Sequence, residues 1–228
     1  MEQQESRQTL VSPSVDEMNE AKYFSIDTVE DVNDDELVLV VKHLLRTCFN
    51  KQASNQIESE DSMMTIDFKN DGDLIYLIGN SKNDITASAY LYSYRGIKLS
   101  PSSTFHLEEE KEVQDVLAKL ILNKSIQSAH HLSVGGLFVA LAESAMPRGL
   151  GFSIKTNSAF RKDAFLFGET QNRVLVSIAP EKHNAFEAII AETDVKSSFL
   201  GKVKKENFVI DSEIIISTAD AKNLLDKA

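Results

Sequence analysis

The sequence predicts an α/β (α+β) fold, a mixed sheet with helices packed on it. Three observations carry that prediction. Apolar runs of strand length, such as Leu74 to Ile78 (LIYLI), alternate along the chain with stripes at helical spacing, such as Val113, Val116, Leu117, Leu120 and Ile121. The strand runs are continuous rather than alternating, which suits strands covered on both faces. Gly135-Gly136 joins a short extended stretch to an apolar helix, and alternation of this kind builds helices onto a sheet.

Each element has its own reason. Residues 1–22 are polar and predict a disordered or loosely docked arm. Asn33-Asp34-Asp35-Glu36 predicts a helix start, because carboxylates in a first turn favour the helix dipole. From there to Phe49, Leu37, Val40, Val41, Leu44, Leu45 and Cys48 form an amphipathic stripe, a core or docking face. Residues 50–62 read as a polar linker. Met63 to Phe68 predicts a strand, Asn70 to Asp73 a turn, Leu74 to Ile78 a strand, and Asp84 to Tyr94 a helix. Arg95 to Phe105, with Gly96, Pro101 and three serines, predicts a loop.

Leu107 to Leu122 opens with Glu108-Glu109-Glu110 and predicts a helix. Ile126 to His131 reads as extended chain. Leu137 to Ala145 reads as a helix with Leu137, Ala140, Leu141 and Ser144 on one face. Strands follow at Gly151 to Thr156, Arg173 to Ala179, Phe199 to Val203 and Asn207 to Asp211. Ala164 to Phe167 is a short apolar stretch. Pro180 predicts the first turn of a helix over Glu181 to Glu192, and Thr218 caps a terminal helix.

Composition bounds the function. The chain of 228 residues is 42% hydrophobic and carries a net charge of −11, so a nucleic-acid backbone, which needs a basic surface, is excluded as a partner. The charge is uneven: residues 1–61 hold 14 acids and 5 bases, whereas residues 62–228 hold 21 and 19. That asymmetry divides the chain into an acidic segment, 1–62, and a main domain, 63–228. No apolar run reaches the roughly 20 residues needed to cross a bilayer, and the first residues have neither the charge nor the apolar core of a signal peptide. One cysteine, Cys48, leaves no internal disulfide. A cytoplasmic setting with no membrane contact is expected, and no Cys or His spacing suits zinc.

Two stretches carry candidate chemistry. Paired glycines at a helix start either cradle an anion such as phosphate or make a tight turn. His130 and His131 precede them, either in an acid–base or metal role or, as adjacent strand residues pointing to opposite sides favour, one partly buried and one solvated. Glu143 lies two turns along the helix, as a network partner or an ordinary surface glutamate. Gly168-Glu169-Thr170-Gln171-Asn172-Arg173 packs carboxylate, hydroxyl, amide and guanidinium groups between apolar stretches. It is either a polar binding loop or, as composition favours, a solvated turn. No phosphate-loop, dinucleotide or nucleophile-triad pattern is present.

These stretches resemble a known family. SAHHLSVGGLFVALAESA is similar to SAHDxSDGGLxVALAE, and AFLFGETQNRVLVSI to FGESQSRVxVSV. Both belong to the C-terminal (PurM-like) domain of the AIR-synthase-like superfamily, and the second half of phosphoribosylformylglycinamidine synthase is the nearest pattern. TIDFKNDGDLIYLIG and FHLEEEKEVQ also resemble that enzyme. The resemblance runs from about Met64 to Ala228.

The resemblance implies an ATP- and Mg²⁺-dependent ligase of purine biosynthesis, in which formylglycinamide ribonucleotide becomes the amidine. It implies a phosphate- or nucleotide-binding site at His131, Gly135 and Gly136, and a substrate-type loop at Gly168, Glu169, Thr170 and Gln171. It also shows departures. His131 stands where the family carries a magnesium-associated aspartate, and Val134 where it carries an acid; both changes remove a hard oxygen ligand. The family's ATP-binding domain has no counterpart in residues 1–62. The expectation is therefore a detached domain with no catalytic residue or metal site of its own. The alternatives are a subunit of a split synthetase, completed by ATP, Mg²⁺ and another chain or a homodimer mate, and an interaction module that recruits a partner through its first helix.

Overall fold

In the computed structural model, residues 29–47, 64–103 and 106–225 are described. In chain order they form α1 (Asp34–Thr47), β1 (Leu74–Ile78), a π-helical turn (Tyr90–Tyr94), α2 (Leu107–Leu122), β2 (Ser128–His131), α3 (Gly136–Ala145) and β3 (Leu150–Ile154). Next come α4 (Lys162–Phe167), β4 (Val174–Ile178), α5 (His183–Ala191), β5 (Ser197–Lys205), β6 (Asn207–Ile210), β7 (Glu213–Ser217) and α6 (Thr218–Leu225). The strands make one seven-stranded sheet in the order β2-β4-β1-β5-β3-β6-β7. It is mixed, with β3 and β6 parallel and the other pairings antiparallel.

Alternation along β1 divides the core. Ile75 and Leu77 join a cluster with α1, α3, α4 and the half of the sheet around β3 and β6. Tyr76 and Ile78 face the other way, among Val113, Val116 and Leu120 of α2 and Phe186 and Ile190 of α5. Helices therefore cover both faces at β1 and β4, and a strand between two apolar layers reads as an unbroken apolar run.

Helix α3 differs from the one-faced expectation. Every residue of it except Glu143 is buried, because α1 and α4 pack against it on the side away from the sheet. A helix enclosed on all sides has no need of a polar face.

The first helix starts as its sequence predicts, with Asn33 Oδ1 accepting the backbone N–H of Glu36 (2.9 Å). Its stripe does not wait for a partner. Leu37, Val40, Val41, Leu44 and Leu45 are at most 2% exposed in the larger core cluster. Full burial of such a side chain stabilises by roughly 1.5–3 kcal/mol. Arg95 pairs with Glu36 (2.9 Å), and the Asp31 carboxylate accepts the N–H groups of Lys162 and Asp163 (3.0 and 2.9 Å). The recruiting role expected of this stripe is corrected accordingly: its apolar face is spent inside the chain. Cys48 and Phe49 lie outside the described residues, as do residues 1–28, the 50–62 linker, Met63, and Thr104 and Phe105 in the predicted loop.

Other expectations are also corrected. Met64 to Phe68 is not a strand: the chain bends at Ile66 and Asp67 and is tied by single hydrogen bonds to Ala129 and Ser144. Only Tyr90–Tyr94 of the predicted 84–94 helix is helical, as one π-helical turn. Ala164 to Phe167 is the end of helix α4, and β7 is a strand where the sequence predicts none.

Candidate functional site

The two polar stretches lie far apart in sequence and meet in the fold. Strand β2 is an edge strand paired with β4, His130 opposite Leu175 and His131 opposite Val174. Alternation then buries His130 and exposes His131, as the strand reading predicts. His130 Nε2 lies 2.6 Å from Glu143 Oε2, and its Nδ1 lies 2.9 Å from the His131 carbonyl oxygen. Glu143 is thus a network partner, turned from α3 towards the strand before it.

The glycines have a packing reason. Gly135 (φ 84) caps α3 in the left-handed region, and Gly136 follows at φ 66. A Cβ on Gly136 would lie 2.6 Å from the carbonyl oxygen of Gly168. The start of α3 is therefore pressed against the second polar stretch, and only glycine has both the conformation and the clearance.

The second stretch is no solvated turn. Arg173 is 2% exposed. Its Nη2 donates to the Gly168 carbonyl (2.6 Å) and its Nε to the Thr170 carbonyl (3.2 Å). Burial pushes the guanidinium down to about 10, against the opposing pull of the Asp84 and Glu169 charges. Composition misled here because one buried arginine can satisfy a loop's carbonyls from inside.

Glu169 also points inward. Its Oε1 accepts the backbone N–H of Ala89 (2.7 Å) and that of Gly135 (2.8 Å). Burial raises its pKa above the ordinary 4.5, opposed by those two hydrogen bonds and by Arg173. Thr170 is buried and Gln171 exposed. Three buried polar atoms in this stretch have no hydrogen-bond partner: Thr170 Oγ1, Asn172 Oδ1 and Arg173 Nη1.

An open cleft of about 550 Å³ lies beside it, between α2 and the edge of the sheet, lined by Gln114, Leu117, His131, Gln171, Asn172 and Arg173 among others. The fold thus divides the seven residues singled out in the sequence. His131 and Gln171 border the cleft. Gly135, Gly136, Gly168 and Glu169 form the contact behind it, and Thr170 is enclosed. Gln114 escaped sequence reasoning because nothing in a helical stripe tells which strand its polar side will face. Arg173 had a signal, a charge set directly against the apolar run of β4. Among the described residues, no three His, Cys, Asp or Glu side chains converge as metal ligands.

A mixed sheet with helices on both faces, and a glycine-paired helix start braced by a polar loop, define an AIR-synthase-type C-terminal domain. The chain belongs to that family: residues 70–211 match the model of the AIR synthase related protein C-terminal domain. Among known proteins it is similar to phosphoribosylformylglycinamidine synthase subunit PurL of Caldanaerobacter subterraneus subsp. tengcongensis. The two are 36% identical over 155 residues, 68% of this chain and 21% of that subunit. The PurL subunit of Moorella thermoacetica is 35% identical over 145 residues, 64% of this chain and 20% of its own length. The chain thus spans about a fifth of the curated relatives it matches. Among solved structures it resembles Thermotoga maritima PurL complexed with FGAR, with a TM-score of 0.61 at 16% identity over 73% of this chain and 30% of that one. The same protein complexed with ATP gives 0.56 at 15% identity over 73% and 27%. At that identity the likeness establishes the fold.

Proposed function

We propose that this chain is a detached C-terminal-type domain of phosphoribosylformylglycinamidine synthase that holds no complete active site. The observation that carries this reading is the chemistry of the hinge. His131 and Val134 are both exposed beside α3, so their side chains could meet a ligand, yet neither offers the carboxylate oxygen that Mg²⁺ requires. The nearby carboxylate, Glu169, is engaged with backbone N–H groups. On this reading His131, Gly135 and Gly136 are the remnant of a phosphate- or nucleotide-binding site. Gly168, Glu169, Thr170 and Gln171 are a substrate-type loop turned to structural use. The setting is cytoplasmic.

Calorimetry with ATP and Mg²⁺ tests it. The expected result is no binding heat for the chain alone. Replacing His131 and Val134 together by aspartate restores two hard oxygen ligands and is expected to produce Mg²⁺ binding. Tight binding by the unaltered chain would refute the reading.

A second reading is a subunit of a split ATP- and Mg²⁺-dependent synthetase completed by another chain. Among the solved relatives is a structure titled PurLQS from Thermotoga maritima, so assembly is a natural setting. Appearance of nucleotide binding only when a chain carrying the ATP domain is added would decide for it.

A further inference from the structure

We infer that Glu169 is the resident anion of the hinge: its carboxylate occupies the N–H pair of Ala89 and Gly135 and closes the start of α3 to phosphate. This deepens the incomplete-site reading above and rests on it. The geometry is specific. One oxygen, Oε1, receives both N–H groups, at 2.7 and 2.8 Å. The donors come from separate segments, Ala89 just ahead of the π-helical turn and Gly135 at the cap of α3. An oxygen that gathers backbone N–H groups at the positive end of a helix sits where a phosphate oxygen would sit.

An independent observation points to the same place. Arg173 is 2% exposed, and its Nη1 has no hydrogen-bond partner. Its Nη2 donates to the carbonyl of Gly168 (2.6 Å), the residue before Glu169 and the one pressed against Gly136. The hinge therefore has an anion, two N–H donors and a buried counter-cation within one chain. A phosphate arriving there would have to displace a carboxylate already seated.

Amide NMR of the full chain tests this, with inorganic phosphate as the probe and chloride as the control. In the wild-type chain, phosphate is expected to leave the Ala89 and Gly135 amides unmoved. On acidification both should shift together, following one carboxyl. In Glu169→Gln that shared titration should vanish while the rest of the spectrum stays in place. In Glu169→Ala the pair is vacated, and phosphate should move both amides saturably, at least about tenfold more tightly than in the wild type, as a charge-assisted contact at a helix start allows. Phosphate shifts in the wild type equal to those in Glu169→Ala would overturn the assignment. So would a folded Glu169→Ala chain that ignores phosphate. If Glu169→Ala does not fold, a shared titration that persists in Glu169→Gln overturns it. Binding of ATP and Mg²⁺ with these two amides unmoved would defeat the incomplete-site reading and leave the role of Glu169 standing.

Discussion

The hinge at 131–136 and the loop at 168–173 pack against each other, yet they differ in what their side chains do. In the hinge, the two positions that depart from the family pattern, His131 and Val134, are exposed. In the loop, Gln171 keeps the pattern and is exposed, but three other positions that keep it serve the interior: Arg173 donates to the Gly168 carbonyl, and Glu169 holds Gly135 and Ala89. The difference teaches that exposed positions of the hinge can vary at little structural cost, whereas the groups that brace it are held by the fold. A buried polar group without its partner costs far more than an exposed one.

The comparison breaks most sharply at Arg173. Replacing it by alanine leaves the Gly168 and Thr170 carbonyls unpaired in the interior, and is expected to cost about 4 kcal/mol in a urea unfolding experiment. A loss near that of a surface residue would show the loop to be held by something else. Gly136→Ala follows. The left-handed backbone and the 2.6 Å approach to the Gly168 carbonyl are both violated, for a loss of about 3 kcal/mol. Gly149 has a similar φ, 64, and a Cβ added there would meet nothing within 4 Å. Gly149→Ala should therefore cost only about 1 kcal/mol, and equal losses at the two positions would remove the close-approach argument.

A smaller effect is expected at Glu169, and it depends on pH. Its folded pKa is raised, so the folded chain binds this proton more tightly than the unfolded chain. The stability it contributes is present below the ordinary 4.5 and is lost as pH climbs through the raised folded value. Glu169→Gln has no such proton. Its stability relative to wild type should therefore rise across that window in thermal melts taken at successive pH values, and a constant difference would contradict the raised pKa. Smallest are the exposed hinge positions. His131→Asp and Val134→Asp should each change stability by no more than about 0.5 kcal/mol, whatever they do to Mg²⁺ binding.

Much of this was legible in the residues. The bounds of α2 match its stripe and acidic first turn, and LIYLI is a strand buried on both faces. The alternation of His130 and His131 follows from a period of two. The site was legible as two motifs in a given order, but not as one contact. The inward turn of Glu169 and Arg173 was not legible either, because a carboxylate and a guanidinium in a polar loop look the same in sequence whether they face water or the backbone. Helix α4 and strand β7 were missed for want of length: six and five residues carry too little period to separate helix from strand.

By itself, then, the sequence determined the fold class, the main helices and the family pattern, since periodicity and motif spacing are properties of the chain in one dimension. The tertiary structure alone decided that the stripe of α1 is consumed in the core, that Gly136 is glycine because a carbonyl lies behind it, and that Glu169 accepts the N–H groups of Ala89 and Gly135. Those outcomes depend on which segments, scores of residues apart, are brought within hydrogen-bond distance, and local sequence has no period that encodes it.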